Sequence, residues 1–123
     1  MHWTRSIDGY CERLGPEYWA EPANAVTNAA FLLAAGLMWG RVQGPGLGLA
    51  RLMTGVLALI GVGSFLFHTH ATVWASLADV LPILGFVLVY LYAANRHYLG
   101  LRRRTSWLLL AMFFPYAFAL LPV

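Results

Sequence analysis

Four long apolar stretches, at about 24–40, 49–67, 73–94 and 106–122, take up most of this chain and are separated by short polar breaks. A helix that crosses a bilayer needs ~20 mostly apolar residues, since each adds 1.5 Å and every backbone polar group must be satisfied within the protein. The pattern therefore predicts an all-α fold, a polytopic transmembrane helix bundle with about four spans. Composition supports it: 60% hydrophobic residues against 11% charged, with a mean hydropathy of +0.66, is too apolar for a soluble globule of 123 residues. The opening 21 residues are no cleavable signal, because they carry His2, Arg5, Asp8, Glu12, Arg13, Glu17 and Glu21 without an apolar core.

Charge then sets an orientation. All eight basic residues are arginines, and several mark two of the breaks: Arg41 and Arg51 flank the first, while Arg96, Arg102, Arg103 and Arg104 lie in the third. Positive loops stay cytoplasmic, so the N-terminus and the break near 69–73 are expected on the non-cytoplasmic side. The start of the first stretch, the end of the second and the start of the third would then share one membrane face. The net charge of +3 is topological, and nothing in it points to nucleic acid. A lone Cys11 excludes an internal disulfide.

Local signals place some elements. Glu21-Pro22 reads as a helix start, with proline in the first turn and an acid at the positive end of the dipole. Asn24 and Asn28 are one turn apart and are expected to face the bundle. Gly55, Gly61, Gly63 and Ser64 remove bulk, so neighbouring helices can approach. Pro82 either marks the first turns of the third helix or kinks it. Trp3, Tyr10, Tyr18 and Trp19 read as an interfacial aromatic belt.

Ionisable groups at lipid depth are costly, about 2.5–3.5 kcal/mol for a carboxylate at the centre of a span, and commonly mark a functional site. Ser64 and His68 lie one turn apart on one helix face, and Asp79 follows across a short break. Imidazole is a common zinc ligand, serine can hold a metal-bound water or an oxyanion, and a carboxylate can orient the histidine or activate that water. The same residues also admit a bland reading: a small packing residue, an interfacial polar tip and a structural hydrogen bond. One histidine cannot make a zinc site, and neither His2 in the tail nor His97 at the arginine-rich face is placed to help. His70 points away from His68. Asp8, Glu12 and Glu21 supply oxygen donors suited to a hard cation such as calcium, although their spacing is not that of an EF-hand and a solvated acidic face is the commoner explanation of such a cluster.

Two blocks carry a family resemblance: DGYCERLGPEYWAEPANAVTN at 8–28 and GVGSFLFHTHATVWASLADVLPI at 61–83. With the Cys-Glu opening, the Ala-Glu step, the Asn-rich helix start, Gly-Ser-x-x-x-His and the later Asp and Leu-Pro in this order, the chain resembles the alkaline ceramidases. These belong to the seven-helix membrane hydrolases that include the progestin and adipoQ receptors. The resemblance implies a zinc-dependent hydrolase that cleaves the amide of ceramide or a related N-acyl lipid. In it His68 is a zinc ligand, Ser64 and Asp79 position or activate the attacking water, and Asp8, Glu12 and Glu21 hold a structural calcium ion.

The chain also departs from that pattern. The His-x-x-x-His pair that completes the family's zinc site is absent, and Gly9 separates the first acid from the aromatic that should follow it. The expectation is a single ceramidase-like transmembrane domain over 1–123 with about four of seven spans, incomplete at its C-terminus, its metal site incomplete and this chain alone inactive. A non-catalytic membrane protein with a lipid-binding or interaction role is the alternative. Oligomeric state leaves no mark in the sequence.

Overall fold

The computed structural model describes residues 2–121, and the chain divides into two compact units, Met1–Phe86 and Val87–Val123. Apart from one isolated bridge, the regular structure of the described residues is helical. In the first unit, α1 (Pro22–Thr27) and α2 (Ala29–Trp39) lead through a 3₁₀ turn (Gly40–Val42) and a loop to α3 (Gly48–His70), and α4 (Val73–His97) begins there. The second unit holds the rest of α4 and α5 (Arg103–Leu120).

The expected start at Glu21-Pro22 is where α1 begins, with Pro22 in its first turn. Its free N–H groups are met from a distance: the Glu12 carboxylate accepts from the backbone of Ala23 at 2.7 Å and Asn24 at 3.1 Å. The break between α1 and α2 falls at Asn28, whose side-chain amide donates to the Asn24 carbonyl at 2.8 Å. Thr27 donates to the Ala23 and Asn24 carbonyls just before it. Such back-bonding competes with the helical ladder and accounts for an interruption there. Asn28 is buried, as its predicted inward face requires, while Asn24 is only half-buried.

Among the described residues, three helical segments are long and apolar enough to cross a membrane: Pro22–Val42, Gly48–His70 and Val73–His97. The fourth expected span corresponds to α5, an 18-residue helix that opens on Arg103 and Arg104 and so offers a shorter apolar length. Pro82 lies well inside α4 rather than in its first turns. In the second unit, Gly100 takes a left-handed φ of 61° in the connection to α5, and Tyr92 meets Trp107 with ring centroids 5.1 Å apart.

The glycines of α3 do unequal work. A Cβ on Gly61 would lie 3.1 Å from Phe31 and Leu32 of α2, and one on Gly63 would overlap the backbone carbonyl of Ala78 in α4. Both helices therefore approach α3 at consecutive glycines of the Gly61-Val62-Gly63 step, as small residues permit. Gly55 has nothing within 4 Å of that position, so it permits no close approach.

The N-terminal segment is fastened rather than loose. Ile7 donates to the Ala71 carbonyl at 2.7 Å, and Ser6 pairs antiparallel with Thr72. The first N–H groups of α4 find partners in the same segment: Val73 donates to Arg5 and Trp74 to Trp3, each at 3.1 Å. Helix α3 itself ends in a left-handed residue, Ala71, with φ 46°, whose N–H returns to the Phe67 carbonyl.

Candidate metal centre

These fastenings bring the start of α1, the end of α3 and the start of α4 to one end of the first unit, the convergence expected from loop charge. At its centre is His68. Its Nδ1 lies 2.5 Å from one oxygen of Glu21, while the other oxygen of Glu21 receives the Arg13 Nε at 2.5 Å. Glu21 is 2% exposed, and both its partners are buried with it. Tyr10 covers the imidazole edge-on, with ring centroids 4.7 Å apart.

Burial pushes the Glu21 carboxyl up, but hydrogen bonds from His68 and Arg13 and the charges of both outweigh it, and its pKa lies below the ordinary carboxylate value. An ionised carboxylate only accepts, so the proton of this contact sits on Nδ1 of His68. The other ring nitrogen is then the one able to face a ligand, the arrangement in which a carboxylate orients a metal-binding histidine.

Ser64 and Asp79 flank the crossing of α3 and α4. Ser64 follows Gly63, and Asp79 follows Ala78, the residue whose carbonyl Gly63 accommodates. Both are buried, and among the described residues the Asp79 Oδ1 has no hydrogen-bond partner. An orphaned acceptor on a buried carboxylate costs stability and calls for a partner such as a water or an ion. The chemistry of the set fits a zinc site in part: one oriented imidazole, a hydroxyl one turn away, and a carboxylate with a free oxygen. Among the described residues, however, no group of three or more His, Cys, Asp or Glu side chains is close enough to hold a metal. His70, on the last turn of α3, is exposed and meets Tyr18 and Trp74 edge-on.

The three carboxylates expected to hold calcium are not gathered. Glu12 caps α1, Glu21 is engaged by Arg13 and His68, and Asp8 is exposed. Their oxygens do not converge, and this set does not fit a calcium ion. The expected aromatic belt is also more specific than an interfacial ring. Trp19 packs on Phe65, Tyr18 on His70 and Tyr10 on His68, so three of its four members roof the end of α3.

Arg13 is the residue that the sequence pattern did not single out. Its one signal was an arginine set inside an otherwise acidic segment, next to Glu12 and eight positions before Glu21.

A search of curated proteins and a search of solved structures each found no match. A protein-family model, described as Ceramidase, matches residues 4–122, nearly the whole chain and both of the blocks that carry the resemblance. With an all-helical fold, membrane-length apolar helices and that match in hand, the chain belongs to the ceramidase family.

Proposed function

We propose that this chain serves a zinc-dependent hydrolase that cleaves the amide bond of ceramide or a related N-acyl lipid. The observation that carries the reading is the burial of Ser64, His68 and Asp79 in an apolar bundle, with the His68 ring held from behind by Glu21. Zinc, when bound, would polarise the amide carbonyl and acidify a water. His68 would supply one ligand through the nitrogen turned away from Glu21. Asp79 would hold and accept a proton from the attacking water through its free Oδ1, and the Ser64 hydroxyl would steady the carbonyl oxygen. An open zinc site needs two further protein ligands beside His68. The protein is read as multi-pass, with its N-terminus on the non-cytoplasmic side.

A second reading, a non-catalytic membrane protein that binds lipid or a partner, draws on the absence of any three-residue metal group among the described residues. Fatty-acid release from ceramide by the native gene product, purified from its membrane with its zinc content measured, separates the two. The hydrolase reading expects turnover and bound zinc, both lost on His68→Ala. Equal product with wild type and His68→Ala, or no product and no zinc, would support the second reading.

A further inference from the structure

Arg13 is 5% exposed, unusual for a guanidinium, and its side-chain hydrogen bonds go to one carboxylate and three backbone carbonyls. Its Nε donates to the Glu21 carboxylate at 2.5 Å, Nη1 to the carbonyls of Gly15 at 3.1 Å and Glu17 at 3.3 Å, and Nη2 to the carbonyl of His68 at 3.0 Å. One carboxylate and three backbone carbonyls from separate parts of the chain thus converge on one positive group. Such a set, hard oxygens with a single anionic member, is the donor chemistry that divalent cations select in proteins. Here the planar fork of an arginine fills it, and arginine cannot be neutralised at any physiological pH. The carboxylates that would raise the site's affinity for a free cation are elsewhere: Glu12 on the α1 N-terminus, Asp8 in solvent.

We propose that Arg13 is the built-in cation of this junction, so that the N-terminal segment, the start of α1 and the end of α3 are clamped around a guanidinium and the chain has no calcium requirement. Arg13 is a positioning residue. It holds Glu21 in place, and Glu21 holds the His68 ring. The claim does not depend on hydrolysis, since the clamp exists whether or not the site turns over substrate.

The first test is calcium binding to the purified native protein in detergent, by thermal unfolding in chelator against calcium at about 1 mM, a concentration that fills even weak extracellular-type sites. Equal melting temperatures are expected, with no calcium retained in equilibrium dialysis. A calcium-dependent rise in melting temperature, or stoichiometric calcium in dialysis, would overturn the proposal. The second test compares Arg13→Gln with Arg13→Lys, both in chelator. Arg13→Gln is expected to melt well below wild type and Arg13→Lys in between, because lysine restores the charge but not the fork. Melting of Arg13→Gln at the wild-type temperature would overturn the assignment, as would equal melting of the two variants below it. If neither variant folds, the wild-type calcium measurement decides alone. Calcium-insensitive melting in a protein without amidase activity would sink the hydrolase reading and leave this one standing.

Discussion

The two ends of α3 are built from similar residues and behave differently. Toward Gly48 the helix carries Gly55 and Thr54. Nothing approaches Gly55, and the Thr54 hydroxyl merely returns to the Ala50 carbonyl one turn back. Toward His70 it carries Gly61, Gly63, Ser64 and His68, with α2 and α4 against the glycines and a buried charged network around the histidine. A small residue in a membrane helix thus acquires meaning only from the helix that crosses it. A polar ring there is oriented by charged partners from distant sequence, as His68 is by Glu21 and Glu21 by Arg13.

The largest expected effect attacks the polar end. Glu21→Gln removes the anion from a buried pair and strands the Arg13 charge, a loss of about 3–5 kcal/mol in stability. Thermal unfolding in detergent reads it, and melting like that of wild type would mean that the two ends are alike after all. Next come the glycines. Gly63→Ala forces α4 away from α3 and should cost about 1–3 kcal/mol by overpacking. Gly55→Ala, with open space around it, should instead gain about 0.5–1 kcal/mol from lower backbone entropy in the unfolded chain. The opposite signs are the sharpest form of the comparison, and equal shifts from the two variants would erase it.

The helical architecture and the convergence at this end were readable because they rest on run length and arginine placement, which survive without tertiary information. The His68 and Asp79 positions were readable as costly polar residues in apolar runs. The clamp was not, because its pairing spans positions 13, 21 and 68, and an arginine among acids reads in sequence as one more surface charge. Glu12 and Glu21 read in sequence as ligands of one ion because both are carboxylates in one segment. The fold sends Glu12 to a helix N-terminus and Glu21 to the histidine, a division that no spacing encodes.

A smaller effect tests whether the polar end carries function or only structure. The Asp79 Oδ1 is buried without a partner, so the carboxylate is a burden on the fold unless a ligand meets it. Asp79→Asn lowers the desolvation cost and should raise stability by about 1 kcal/mol, and on the hydrolase reading proposed above it should lower fatty-acid release. A drop in melting temperature would instead mark Asp79 as a structural hydrogen-bonding residue whose partner the fold provides.

The smallest shift belongs to Ala71, the left-handed residue that ends α3 and accepts the Ile7 N–H. An L-residue in that conformation costs about 1–2 kcal/mol, which glycine would relieve. Ala71 is fully buried, however, so glycine forfeits a methyl group worth about 0.8 kcal/mol and adds about 0.5–1 kcal/mol of unfolded-chain entropy. The contributions nearly cancel, and Ala71→Gly is expected to melt close to wild type. Ala71→Val keeps the strain, adds a branched carbon that the left-handed region does not accept, and should melt clearly lower. If both variants melted as wild type does, the end of α3 would tolerate any residue there. The N-terminal strap would then owe nothing to the turn at Ala71 that presents its carbonyl to Ile7.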